Sequence, residues 1–448
     1  MKFFYSLIFV LISTMLFAND IDEASLFGDT NVIEKAPNLT ENPVEQKSVG
    51  LSGRIASSAI YSFSKDYIDK NSGSESNIFN YGTEGDLFFD VRLQKNYKIF
   101  SDVWISSQYS GSPAYSYLYE PTTGTTQVFI ETNGVMLNIK EIFLDYNLSH
   151  LIYMRMGKQF LKWGTTYFWN PVDVINCEKK SFTDLEATRE GVWGVKLHIP
   201  YKTIFNFYSF VDFTEIKKLE DSALATKLEF LIGNTEIGLY GWFKKEFYSV
   251  YGADVSTRIF GIDVKAEGAI SYGDNRKYLK EEVSNVNIMG NNITFTNYSA
   301  ENITNEWIYR VSLNLYKGFE FLDVKDRITT MVEFFYNSTG YRDNIFDNEA
   351  KKNYSLYNGL YIPNEYGKFY TLFMIGYKDL LISDLSLGIN YLVNWTDSSS
   401  TLSLGFSYVP VDNVMASFTT YLNLGEENKE YTFNRMPISL NLTIEMRF

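Results

Sequence analysis

The strongest constraint on this chain is an alternation of apolar and polar side chains that recurs in segments of about ten residues. In the C-terminal segment the two kinds take turns at every position: Leu440, Asn441, Leu442, Thr443, Ile444, Glu445, Met446, Arg447 and Phe448. A period of two is typical of a β-strand whose two faces meet different environments. Similar segments at residues 87–93, 385–395 and 402–408 therefore predict an all-β fold.

The sheets of an antiparallel sandwich in solution also have one polar and one apolar face. The alternation alone therefore does not distinguish such a sandwich from a sheet that crosses a membrane. Segments of about ten residues are long enough to cross a bilayer when tilted. Aromatic residues make up 17% of the chain and gather near the segment ends, as membrane-interface girdles do. Short connections such as residues 95–98 and 233–235 take turns with long polar ones such as residues 273–304 and 338–366. This asymmetry is typical of outer-membrane barrels.

We therefore predict an antiparallel transmembrane β-barrel of about 16–18 strands in the bacterial outer membrane. Because an unpaired backbone amide is costly in hydrocarbon, the first and last strands must pair, and the C-terminal strand closes the barrel. We expect residues 51–63 to pair with residues 437–448. The terminal Phe448 resembles the signal that barrel assembly machinery recognises, so this machinery and the lipid bilayer are the expected partners.

Composition divides the chain into three parts. Residues 1–18 combine Lys2, an apolar run and a small residue, Ala18, which is typical of a secretory signal peptide. Residues 19–50 are polar and are predicted to form a periplasmic tail, and residues 51–448 are predicted to form the barrel. The net charge of −14 argues against nucleic acid as a partner, since nucleic acid binds basic surfaces. The single cysteine, Cys177, cannot form an intrachain disulfide.

The most distinctive stretch is residues 141–173. It begins with E-I-F-L-D-Y at residues 141–146, continues with G-K-Q at 157–159 and W-G at 163–164, and ends with N-P-V-D at 170–173. This order resembles porin-like and alginate-export-like outer-membrane barrels, in which an E-x-x-L-D-Y strand precedes elements of these types. The resemblance implies a channel for passive diffusion of small solutes, with no cofactor.

Strand parity identifies polar and charged side chains that face the lumen and are candidates for lining a pore. In a barrel of about 16–18 strands the interior is an aqueous channel, where such charges bias ion selectivity. The candidates are Asp90, Arg92, Glu141, Asp145, Arg155, Gln159, Lys196, His198, Asp263, Lys265, Glu267, Arg310, Glu333, Glu445 and Arg447.

The loop at residues 163–185 is the candidate for narrowing the pore. Its aromatic and Asn-Pro content suits a folded loop, which at this position can turn inward. The candidate constriction residues are Trp163, Trp169, Asn170 and Asp173. A rim loop that packs against its neighbours and has no gating role is an equally good interpretation.

Catalysis and metal binding find little support in the sequence. Only His150 and His198 are present, and neither has a nucleophile and an acid at a recognisable spacing. Two histidines and one cysteine also disfavour zinc.

Two other barrel functions stay open. The long loops at 273–304 and 338–366 suit a surface adhesin. A substrate-specific transporter with a plug is the other alternative, although residues 19–50 are short for one. The sequence decides neither the solute nor the oligomeric state.

Overall fold

The computed structural model describes residues 48–68, 77–93, 96–110, 114–120, 125–131, 134–149, 151–175, 181–182, 189–214, 216–288, 291–341 and 344–448. The strands are β1 (Ser48–Phe63), β2 (Ile78–Leu93), β3 (Tyr97–Ser110), β4 (Ala114–Glu120), β5 (Thr125–Glu131), β6 (Val135–Leu148), β7 (Ile152–Gln159), β8 (Val192–Tyr201), β9 (Phe205–Asp212), β10 (Ala223–Ile232), β11 (Thr235–Lys244), β12 (Val250–Ile259), β13 (Ile262–Tyr272), β14 (Lys277–Ile288), β15 (Asn291–Asn302), β16 (Trp307–Phe321), β17 (Val324–Asn337), β18 (Phe369–Tyr377), β19 (Leu385–Asn394), β20 (Ser399–Val411), β21 (Val414–Leu424) and β22 (Ile438–Arg447).

Eighteen of these strands form one antiparallel sheet that closes on itself, while β4–β5 and β14–β15 form separate hairpins. The predicted fold class, an all-β barrel of about 16–18 strands, is confirmed. The predicted signal peptide at residues 1–18 and residues 19–47 of the predicted tail lie outside the described residues, and β1 begins at Ser48.

The barrel closes through β1, which pairs with strands from both ends of the sequence. It pairs with β2 along one edge and with β22 along the other, from Arg54 to Phe63 on β1. Next to this ladder, the Gly53 N–H donates to the Phe448 carbonyl at 2.8 Å, and the Phe448 N–H donates to the Gly53 carbonyl at 3.0 Å. The predicted closure by the C-terminal strand is therefore confirmed.

The two ends of the barrel differ in the length of their connections. At the turn end, strands are joined by residues such as 202–204 and 412–413, whereas β7 and β8, and β17 and β18, are joined at the loop end by much longer connections. The loop end also holds both hairpins and the short helices α1 (Lys65–Ile68) and α2 (Glu349–Tyr357). Among the described residues, no helix is long and apolar enough to cross a membrane.

The barrel wall is apolar outside and polar inside. On β16, for example, Trp307, Tyr309 and Val311 are exposed on the outer face, whereas Ser312 and Asn314 are buried on the inner face. An apolar outer face suits hydrocarbon, and a polar inner face suits a hydrated lumen.

A β-bulge in β6 breaks this strict alternation. In the pairing of β6 with β3, Lys140 is skipped between Ile139 and Glu141, as expected for the extra residue of a bulge. The Lys140 ammonium lies 2.9 Å from Asp86, and the Glu141 carboxylate accepts a hydrogen bond from the Phe160 N–H at 2.6 Å. Two consecutive side chains therefore point into the barrel.

We expect Gly53→Ala to loosen the closure of the barrel. A Cβ at Gly53 would lie 2.5 Å from the Phe448 ring and 2.9 Å from the Asp86 carbonyl oxygen, and overpacking of this kind costs about 1–3 kcal/mol. The matched control is Gly82→Ala on β2, where the nearest atom would lie 3.5 Å away. The measurement is the unfolding midpoint of the refolded barrel in detergent. Equal midpoints for the two variants would contradict a tight contact at the closure.

Candidate functional site

The connection between β7 and β8 folds into the barrel. We call its described residues, 160–175, 181–182 and 189–191, the inner loop. Leu161, Trp163 and Trp169 of this loop are 1%, 5% and 2% exposed, and they pack against inward-facing residues of the wall between β8 and β19. The inner loop therefore fills one side of the lumen, which we call the filled side.

Glu333 on β17 holds the middle of the inner loop. Its carboxylate accepts hydrogen bonds from the backbone N–H groups of Tyr167 at 2.9 Å, Phe168 at 3.0 Å and Trp169 at 2.8 Å. The Asn314 side chain donates a further hydrogen bond at 2.7 Å. Hydrogen bonds to a charged group contribute about 1.5–3 kcal/mol each, so this fully buried side chain is a strong anchor.

Glu267 on β13 is the second anchor. Its carboxylate accepts hydrogen bonds from the backbone N–H groups of Thr165 at 2.9 Å, Thr166 at 3.3 Å and Val172 at 2.9 Å. Gly164 has a φ of +92°, and a Cβ there would lie 2.4 Å from a Glu267 carboxylate oxygen. The glycine of the W-G element thus lets the loop backbone approach the carboxylate.

The candidate constriction residues lie inside the packed inner loop. Trp169 stacks on Phe335 of β17 with ring centroids 5.3 Å apart, and its indole N–H donates to the Asn364 carbonyl at 2.7 Å. Trp163 packs on Tyr240, with ring centroids 5.9 Å apart. The other two candidates lie nearby: the Asn170 side chain donates to the Thr166 carbonyl at 2.7 Å, and Asp173 is 2% exposed.

The other candidate pore-lining residues are mostly engaged with one another or with the loop. Glu141, like the two anchors, bonds to the loop backbone. Gln159, Lys196, His198 and Lys265 are buried on the filled side. Ion pairs join Asp145 to Arg155 at 2.7 Å, Asp90 to Lys98 at 3.1 Å and to Arg92 at 3.6 Å, Asp263 to Arg258, and Arg310 to Asp274. His150, Cys177 and residues 183–185 lie outside the described residues.

The opposite side of the lumen is open. A cavity of about 1040 Å³ follows β1, β21 and β22 over most of their length, from Phe448 at the turn end to Tyr361 and Asn434 at the loop end. Phe182 of the inner loop also lines it and meets Tyr421 of β21 edge to face, with ring centroids 6.5 Å apart. We call this cavity the open side.

Charged side chains of the open side form a network near the closure of the barrel. Arg54 on β1 lies 2.6 Å from Glu84, 2.7 Å from Asp86 and 3.4 Å from Glu445. Arg447 lies 2.7 Å from Glu445, and Lys140 reaches Asp86 from the bulge. The positive and negative side chains of this network are therefore paired with one another.

Glu430, in the loop 425–437 at the mouth of the open side, is a buried carboxylate. It accepts hydrogen bonds from the Tyr370 hydroxyl at 2.7 Å, the Asn394 side chain at 2.7 Å, the Asn364 N–H at 2.9 Å and the Tyr361 hydroxyl at 3.3 Å. Burial raises the pKa of Glu430 to about 7. One carboxylate thus ties several elements of the loop end together.

Of the candidate pore-lining residues, Glu445 and Arg447 line the open side. Sequence reasoning missed Arg54 and Glu84, which lie on the inner faces of β1 and β2 and could have been found by the same parity argument. It also missed Phe182, for which a loop offers no periodic signal.

Comparison with known proteins gives likeness of structure only. No family model and no curated protein matches the sequence. The chain is similar to OccK8 (OprE) of Pseudomonas aeruginosa, with a TM-score of 0.49 and 9% identity over 90% of this chain and 98% of that chain. It is also similar to the outer membrane protein opdK from Pseudomonas aeruginosa, with a TM-score of 0.47 and 9% identity over 89% and 99%. A mutant porin of Rh. blastica gives a TM-score of 0.40 and 10% identity over 90% and 100%.

We expect Glu333→Gln to loosen the inner loop. The amide places N–H donors against backbone N–H groups that now bond to a carboxylate, and leaving buried donors without a partner costs about 1–3 kcal/mol. The measurement is the rate of proteolytic cleavage within residues 160–191 of the folded barrel, which should rise. Glu229→Gln is the control, because Glu229 faces the lumen on β10 but pairs with Lys227 at 2.7 Å. Equal cleavage rates in both variants would contradict the anchoring role.

The loop at residues 425–437 should become less stable as pH rises. The pKa of Glu430 in the folded state, about 7, exceeds its ordinary value of 4.5. The stabilisation is therefore complete below pH 4.5 and is lost as pH rises through about 7, by about 3 kcal/mol at most. Amide hydrogen exchange of the loop, corrected for the intrinsic pH effect, measures this change. Glu430→Gln should abolish this pH dependence of exchange. Glu427→Gln, at an exposed position of the same loop, should leave it unchanged. A pH dependence that persists in Glu430→Gln would show that another group titrates.

Proposed function

We propose that this chain is an outer-membrane channel through which small solutes diffuse along the open side of the lumen. The observation that carries the proposal is the cavity that follows β1, β21 and β22 from the turn end to the loop end. The closed sheet has no unpaired edge, as a hydrocarbon environment requires, and its outer face is apolar. We further propose that the terminal Phe448 serves as the assembly signal.

The inner loop narrows this channel. An empty barrel of about 16–18 strands encloses a wide aqueous channel. Here the inner loop occupies space beside β8–β19, so the proposed path for solutes is the open side, next to β1 and β20–β22. Phe182 and Tyr421 pack edge to face at the border of this cavity and are the residues we propose to limit solute size.

Single-channel recording in planar lipid bilayers tests the proposal. The refolded protein should give stable open steps, because the cavity is continuous along the wall. If protein that is folded and inserted gives no open steps, a diffusion channel is refuted and a surface-binding barrel is favoured.

The reversal potential under a salt gradient across the same bilayer measures the ion selectivity of the channel, which depends on the charges along the path. The charged residues lining the open side are Arg54, Arg447, Glu84, Glu430 and Glu445. At a pH above the Glu430 pKa of about 7, all three carboxylates are ionised, so we expect a weak preference for cations. Glu84→Gln should lower the cation preference and Arg447→Gln should raise it, because both side chains are partly exposed in the lumen. Glu229→Gln, on the filled side, should leave the reversal potential unchanged. Shifts in the opposite directions would contradict the assigned path.

A further inference from the structure

We propose that the open side selects uncharged, hydroxyl-rich solutes of the class of sugars and polyols. This inference rests on the proposed channel function and adds the chemistry of its solute.

The wall of the open side carries uncharged hydrogen-bonding groups in adjacent rows. On β21 and β22, Ser417 lies opposite Thr443 and Thr419 lies opposite Asn441, and all four line the cavity. Inward-facing residues repeat about every 7 Å along a strand, and neighbouring strands are about 4.8 Å apart. Such a patch offers hydroxyl and amide groups at spacings that a polyhydroxylated carbon chain can bridge.

The charges of the open side are already paired. Arg54 contacts three carboxylates, and Arg447 pairs with Glu445. Glu430 is enclosed by several hydrogen-bond donors. A charged solute would have to compete with these ion pairs, whereas an uncharged solute need not.

Aromatic rings supply the remaining part of the surface. Phe182 reaches the cavity from the inner loop and meets Tyr421, and Phe88 and Tyr431 also line it. Sugars combine polar hydroxyl edges with apolar C–H faces, so a path with a hydroxyl and amide wall and an aromatic wall suits both parts of such a molecule. A small inorganic anion has no C–H face to pack on these rings.

Efflux of labelled sorbitol, gluconate and glucamine from liposomes that contain the protein tests the proposal. The three probes share one polyhydroxylated carbon chain and differ in the group at one end, which is a hydroxymethyl in sorbitol, a carboxylate in gluconate and an aminomethyl, protonated at neutral pH, in glucamine. Sorbitol should leave several-fold faster than both charged probes. Faster efflux of gluconate or of glucamine would overturn the inference, and so would equal efflux of all three, although each leaves the channel function standing. Absence of efflux and of open steps together would refute the channel itself.

Variants of the wall separate this proposal from simple sieving by size. The double variant Thr419→Val and Thr443→Val keeps side-chain volume but removes two hydroxyl groups, so the preference for sorbitol should shrink while single-channel conductance changes little. Thr329→Val is the matched control, because Thr329 is buried on the inner face of β17 and does not line the cavity. An unchanged preference in the double variant would contradict recognition by this wall.

The aromatic contribution needs its own variant. Phe182→Leu should raise conductance and weaken the reduction of ionic current that added sugar causes, since the ring both narrows the path and contacts the solute. Phe319→Leu, at an exposed position on the outer face, is the control for loss of a ring. Higher conductance with undiminished sugar block would show that Phe182 only narrows the path, and would overturn its part in recognition.

Discussion

Two buried carboxylates determine the shape of the lumen. A segment that leaves the sheet and enters the barrel must find a partner for each buried backbone N–H, because an unpaired one costs about as much free energy as a lost hydrogen bond. Glu333 accepts from three consecutive residues, 167–169, and Glu267 accepts from Thr165, Thr166 and Val172. Charge-assisted bonds are stronger than neutral ones, so two side chains on the wall fix the course of the inner loop.

Once its backbone is fixed, the inner loop gives the barrel an interior core on one side only. Trp169 stacks on β17 and Trp163 packs on β11, so aromatic side chains of the loop fill much of that side of the lumen. The other half keeps an uncharged hydrogen-bonding wall, a self-paired ion network and a few aromatic rings. The filled side and the open side of the lumen thus lie along different strands of the same sheet.

The sequence predicts the wall of this barrel far better than its contents. Alternation in residues 440–448 correctly indicated an amphipathic closing strand, because the period of two follows directly from strand geometry. Parity also placed Glu267 and Glu333 on the inner face, but it carries no information on what fills the lumen opposite them. Their role as anchors depends on loop residues that lie 102 and 166 residues earlier in the chain. Proximity of this kind is three-dimensional, and no local pattern records it.

The bulge in β6 has a consequence for how the two halves of the lumen are joined. In a regular strand only one of two consecutive side chains can face inward, yet Lys140 and Glu141 both do. Lys140 contacts Asp86 in the ion network of the open side, while Glu141 bonds to the first residue of the inner loop. Because of the extra residue, β6 contacts both the ion network of the open side and the inner loop of the filled side. A one-residue deletion there would turn one of these side chains toward the outer face, and one of the two contacts would be lost.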